Sequence, residues 1–184
     1  MSERNMELVE KFQSIVKECI HREGIESLLA WLDKTDWYTA PASSKFHGNY
    51  PCGLLKHSLR VYEQLKKKQE PGESDETVAI VSLFHDLCKI NTYKEHCKSD
   101  KGVTKYTYSI ENQFPFGHGE KSVLWLVKHI DLTDEEMLVI RWHMGQMMTK
   151  NMSEAVAFEQ VVHKYKLALK LSQADEEASY WYNE

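Results

Sequence analysis

Six side chains constrain most tightly what this chain can fold into. They are His57 in LLKHSL, the adjacent pair His85-Asp86 in LFHDLCK, His118 in FGHGEK, His143 in RWHMG, and Asp175 in QADEEAS. His57 stands among Leu54, Val61 and Leu65 on an otherwise apolar helical face. Asp175 shares a face with Val161, Tyr165, Ala168, Ser172 and Ser179. Burying such groups is costly unless they are paired or bound to a metal. Taken singly, each has a plain reading as a core histidine, a helix cap or a surface pair. Taken as the ordered series H…HD…H…H…D, four imidazoles and two carboxylates make a ligand set suited to two divalent cations. The fold must then draw five distant segments to one point.

Helical periodicity shows how it can do so. Residues 6–20 place Leu8, Val9, Phe12, Ile15, Val16 and Cys19 on one stripe, and a second helix is expected over 25–33. Pro41, Gly48 and Pro51 mark 35–52 as an ordered loop. A helix starts near Gly53, with Leu54, His57, Ser58, Val61 and Leu65 on one face. Another is expected over 75–89, N-capped by Ser74 or Asp75. On such a helix His85 and Asp86 point about 100° apart, so both reach one cleft only along the helix edge. Thr, Tyr and Val around Ser99-Asp100-Lys101-Gly102 indicate a two-stranded hairpin over 92–110. Helix 119–130 follows. Thr133-Asp134-Glu135-Glu136 is a capping box for a helix ending at His143, with Gly145 as the stop. A long helix is expected over 153–180.

The expected fold class is therefore all-α, with a small β-hairpin insertion. It forms a single domain over 1–184, with helices and loop 1–45 packed on a core of 46–180. The 184 residues suffice to bury around 70% of the unfolded surface. A net charge of −5 argues against long nucleic acid as a partner, so a phosphorylated ligand must be drawn by a local site. Lys66-Lys67-Lys68, the basic run, reads as a solvated helix terminus. MSERNMELVE is not a signal peptide, and no apolar run approaches the ~18 residues of a membrane span. Cys19, Cys52, Cys88 and Cys97 form no C-x-x-C pair and read as reduced thiols, which places the chain in the cytoplasm.

The ligand order and its local contexts resemble the HD-domain superfamily of metal-dependent phosphohydrolases, in its dinuclear form, over residues 46 to 179. The resemblance implies an HD-domain helical bundle. It assigns one metal to His57, His85, Asp86 and Asp175 and the other to Asp86, His118 and His143, with Asp86 bridging. A metal-bridging hydroxide would then attack a phosphate mono- or diester. The ions are Fe, Mn, Co, Ni or Zn, which this mixed nitrogen and oxygen set does not separate. Asp86 and Lys89 are the catalytic candidates. Lys89, one turn after His85 in an HDxxK pattern, His47 in KFHGNYPCGLL, and Lys121 are the candidate substrate contacts. Each also has a structural reading: a helix-terminal lysine for Lys89, a loop-stabilising histidine for His47. Cys52 stands where relatives often carry glycine, a departure that bears on packing.

The implied substrate is a nucleotide or another small phosphorylated metabolite; a dinucleotide or short oligonucleotide is also compatible. Two rivals stay open: an HD-type mixed-valent diiron oxygenase, which activates dioxygen instead of water, and a non-catalytic nucleotide-sensing module. His21, His96, His129 and His163 fall outside the series and read as surface or interface residues. Trp181 and Tyr182 read as packing or oligomer contacts, which leaves room for a homodimer.

Overall fold

The computed structural model describes residues 3–100 and 103–181. It is mostly helical, with one small antiparallel sheet. The apolar stripe of α1 (Glu3–Cys19) buries Phe12, Ile15 and Val16. Phe12 meets Trp37 and Phe84 at ring separations of 5.8 and 5.9 Å, so α1 is anchored on both the following loop and the next layer. Helix α2 (Ile25–Leu32) buries Leu28 and Leu32. The loop after it is ordered, as Pro41, Gly48 and Pro51 indicate. Ala42 N donates to Gly48 O, Cys52 N to Thr39 O and Leu54 N to Ala40 O, at 2.8, 3.0 and 3.0 Å.

Helix α3 (Gly53–Lys67) turns Leu54, His57, Ser58, Val61 and Leu65 inward. Cys52 initiates it from a left-handed conformation with φ 66, a position that favours glycine. Lys66-Lys67-Lys68 closes it, with Lys66 paired to Asp75 at 2.7 Å and Lys68 to Glu177 at 2.6 Å. Ser74 caps α4 (Asp75–Phe84) by accepting from Thr77 N. The expected helix over 75–89 stops early. Asp86 adopts φ −104 and ψ 19, and only a short 3-10 turn over Leu87–Lys89 follows. Side-chain periodicity continues through this stretch, but the backbone gives way where Asp86 is pulled toward partners from other helices.

Strand β1 (Tyr93–Asp100) pairs with β2 (Val103–Ile110) from Tyr93↔Ile110 to Asp100↔Val103. The turn residues Lys101 and Gly102 lie outside the described residues. Helix α5 (His118–Leu126) is shorter than expected. The capping box of α6 (Asp134–Arg141) forms in full, but the helix ends at Arg141, short of the expected His143, and Gly145, with φ 63, opens a separate 3-10 turn. Glu136 of that box is buried and carries a second duty. Arg22 NH1 and NH2 donate to its two oxygens at 2.7 and 3.1 Å, and Thr77 Oγ1 donates at 2.9 Å. The expected helix over 153–180 is broken into α7 (Met152–Lys164) and α8 (Lys166–Tyr180), with Tyr165 extended at φ −128 and ψ 96. Phe158 packs on Trp142 at 5.7 Å while Asp175 reaches His57. The break lets the two halves meet both demands, and no proline or glycine marks it. Trp181 is 71% exposed, and Tyr182 lies outside the described residues. Among the described residues, no helix is long and apolar enough to cross a membrane.

Candidate metal centre

All six residues of the series converge. His57 comes from the inward face of α3, His85 and Asp86 from the turn ending α4, and His118 from the first residue of α5. His143 follows the end of α6, and Asp175 lies on α8. The packing that gathers them is concrete. Cys88 N donates to Ser122 Oγ at 3.0 Å, fastening α5 to the turn that holds Asp86. Gly119 lies so close to Arg141 that an added Cβ would stand 2.2 Å from its carbonyl oxygen. That contact sets His118 beside His143, with ring centroids 5.2 Å apart.

Asp86 is the centre of the arrangement, and its two oxygens face different groups. Oδ2 lies 3.6 Å from His57 Nε2 and 3.4 Å from His85 Nε2. Oδ1 lies 3.0 Å from His118 Nε2 and 3.6 Å from His143 Nε2. Asp175 Oδ1 completes the first group, 3.0 Å from His57 Nε2 and 3.9 Å from His85 Nε2. Nitrogen and oxygen ligands bonded to one ion at about 2.0–2.2 Å stand roughly 3.0–3.5 Å apart, a spacing that the first group approaches. Among the described residues, ligand atoms within 4.8 Å of one another come from His57, His85 and Asp86, from His85, His143 and Asp175, and from Asp86, Cys88 and His118.

The imidazole orientations fit as well. His85 Nδ1 lies 2.8 Å from Ser82 O, and His143 Nδ1 lies 2.7 Å from Ile140 O. Each Nδ1 donates its proton there, so in the neutral ring it is an unprotonated Nε2 that faces the cluster. His143 Nε2 is buried without a hydrogen-bond partner. His85 Nε2 and His57 Nε2 stand only 3.3 Å apart. Such lone pairs repel unless a proton or a cation sits among them. The donor set could therefore hold a metal ion.

The electrostatics point the same way. Burial works against ionised Asp86, yet Lys89 and the surrounding imidazoles hold its carboxyl well below the usual range. Asp175 is likewise depressed, because its bond to His57 outweighs burial. Burial pushes His57 and His143 down. His118 is pushed up to about 10: burial opposes the cation, but Cys88 and Asp86 outweigh it. Burial opposes the cation at His85 as well, but Asp86 and Asp175 outweigh it and raise that imidazole, so the two carboxylates favour cations beside them.

The other candidates divide. Lys89 Nζ lies 2.5 Å from Asp86 Oδ2 and borders the cavity above the cluster. His47 borders the same cavity, its ring 5.0 Å from that of His57 and its Nε2 3.4 Å from Ser179 Oγ. Burial, with help from His57 and Lys89, lowers His47 to about 4, so it is neutral at pH 7. Lys121 is elsewhere. It is buried, bonded to Thr92 Oγ1 at 3.2 Å and Asn112 Oδ1 at 3.1 Å, and does not line the cavity. It fastens both ends of the hairpin to α5. Among the histidines outside the series, His129 stacks on Trp31 at 5.1 Å and His96 bonds Ser109 Oγ at 2.8 Å.

Cys88 is the residue that sequence reasoning passed over. Its Sγ lies 3.3 Å from His118 Nδ1, 3.6 Å from His118 Nε2 and 3.9 Å from Asp86 Oδ1. Its place two residues after Asp86 was the available signal. No family model, curated protein or solved structure matches the chain.

Proposed function

We propose that this chain is an HD-type phosphohydrolase that cleaves a phosphate ester of a small metabolite with the help of two divalent metal ions. The observation that carries the reading is Asp86, whose Oδ2 lies toward His57 and His85 and whose Oδ1 lies toward His118 and His143, within one continuous row of imidazoles. A bridging carboxylate is what a pair of cations ~3.5–4 Å apart needs. His57, His85, Asp86 and Asp175 would hold one ion; Asp86, His118 and His143 would hold the other. When bound, such ions lower the pKa of a coordinated water and polarise a phosphoryl group.

The chain's own residues supply the rest. Lys89 keeps its ammonium beside the cluster, because Asp86 favours the charged form more than burial opposes it. From there it offers a cation to a phosphate oxygen entering from the cavity. His47 offers a neutral imidazole on the same wall, able to donate or accept a hydrogen bond. The hydrogen bonds that His85 Nδ1 and His143 Nδ1 donate to Ser82 O and Ile140 O fix the two rings, so little reorganisation is needed on binding.

The reading is tested with a panel of phosphate mono- and diesters. EDTA-treated protein should be inactive, and Mn²⁺ or Co²⁺ should restore release of phosphate or of a nucleoside monophosphate. Substrate-linked oxygen uptake, with no phosphate release from any compound, would replace this reading with the oxygenase one.

A further inference from the structure

The cavity above the cluster has a volume of about 790 Å³, within the range of small-molecule sites. His118, His143, Asp175 and Lys89 line it on the side of the cluster. Phe46 and Tyr180 also line it, yet they are 79% and 73% exposed, so they belong to its mouth. A single exposed aromatic residue is ordinary. Two at one mouth, each on a held backbone, are not.

The backbone carrying Phe46 is fastened from three directions. Phe46 N donates to Ser43 Oγ, Ser43 Oγ donates to His47 O, and Ala42 N donates to Gly48 O, each at 2.8 Å. Tyr180 ends α8, and the contact between His47 and the preceding Ser179 joins this terminus to the loop. Both side chains are therefore presented by ordered segments while their rings stay largely in solvent. Phe46 and Tyr180 line the same cavity as Lys89 and Asp175, so one ligand in it can meet both the rings and the cluster.

We propose that Phe46 and Tyr180 are specificity residues which stack on a planar ring of the substrate, a nucleobase joined through its sugar to the phosphate at the cluster. This inference rests on the phosphohydrolase reading above and adds to it the part of the substrate remote from the reaction. Stacking uses the ring face that every base possesses. The site therefore prefers ring-bearing phosphates over ringless ones and discriminates little among bases.

The test is calorimetric titration of Mn²⁺-loaded protein. The probes are inorganic phosphate and the non-hydrolysable methylenephosphonate analogues of adenosine monophosphate, uridine monophosphate and ribose 5-phosphate. Both nucleotide analogues should bind at least about tenfold more tightly than the ribose analogue. Phe46→Ala and Tyr180→Ala should each weaken them about five- to 150-fold, the range that stacking one base spans. The ribose analogue, inorganic phosphate and metal content should be unaffected. Phe46→Leu should behave like the alanine variant and Phe46→Tyr like the parent, because the ring is the operative feature. If phosphate binds but the nucleotide analogues gain nothing over ribose, or the alanine variants bind them normally, the stacking role is refuted and the hydrolase reading stands. If no phosphate compound binds the metal-loaded protein, both readings fall.

Discussion

Gly119→Ala is the substitution that best probes how the fold makes the centre. In the parent, a Cβ on Gly119 would lie 2.2 Å from Arg141 O, 2.7 Å from its carbonyl carbon and 2.8 Å from its Cα. All three are backbone atoms, so no side chain can swing aside. Cβ atoms essentially never come within 3.0 Å of other heavy atoms, so α5 and α6 must separate by about 0.8 Å along the tightest line. Residue 118 precedes the clash, and residue 143 lies two positions past Arg141. Metal sites tolerate errors of only about 0.2 Å in ligand distance. His118 and His143 would no longer reach one ion together. His57 and Asp175 lie on α3 and α8 and His85 just past the end of α4, so none of them is on the two elements that clash. Overpacking of this kind costs about 1–3 kcal/mol, or roughly 2–12 °C in Tm for a chain of this length. The expected result is a folded protein with lowered Tm that binds one metal equivalent near normally and the second at least about tenfold more weakly. His118→Ala should show the same loss of the second equivalent without the strain. Elemental analysis and metal titration read the occupancy, and differential scanning calorimetry reads the stability. Two equivalents bound with parental affinity, at an unchanged Tm, would refute the claim that this close approach sets the second site.

Three further outcomes follow from the same structure. Asp86→Ala should lose most of both metal equivalents, whereas His57→Ala should spare the second; equal losses in the two, by elemental analysis, would remove Asp86 from its bridging place. Lys89→Ala should keep metal content and fold while kcat/KM drops about ten- to over a hundredfold, the worth of one charge-assisted phosphate contact, and Lys89→Gln should not restore it; this is read at matched metal occupancy. Arg22→Met strands the buried Glu136 carboxylate and should cost about 3 kcal/mol at pH 7. Burial raises the Glu136 pKa, but the Arg22 hydrogen bonds outweigh it and hold it below its ordinary 4.5. A depressed carboxylate contributes stability above that value and loses it as pH falls through its folded pKa. The gap between parent and variant in urea unfolding should therefore narrow below about pH 4.5; a gap that widened toward acid would contradict the assignment.

Local chemistry was legible before any coordinates. The α1 stripe, the Ser74 cap and the Thr133–Glu136 box depend on residues within a few positions of one another, and all of them form. The Gly145 stop does not, because α6 already ends at Arg141 and Gly145 opens a separate 3-10 turn. His57 and Asp175 were legible too, because their neighbours made them expensive to bury alone; His85, Asp86, His118 and His143 were legible only as members of the ordered series. Tertiary structure decided what those residues do to each other. The helix ends at Phe84 instead of near 89, and the break at Tyr165 carries no local mark. Cys88 reads as an ordinary thiol until α5 brings His118 against it, and Lys121 reads as a site lysine until Thr92 and Asn112 claim its ammonium. The turning of Asp86 Oδ2 toward His57 and His85 and of Oδ1 toward His118 and His143 is likewise invisible in the chain. It depends on where α3, α5, α6 and α8 cross, and such crossings are set by contacts like Gly119 on Arg141 between residues far apart in sequence. Periodicity tells which face of a helix turns inward; only packing tells what that face meets.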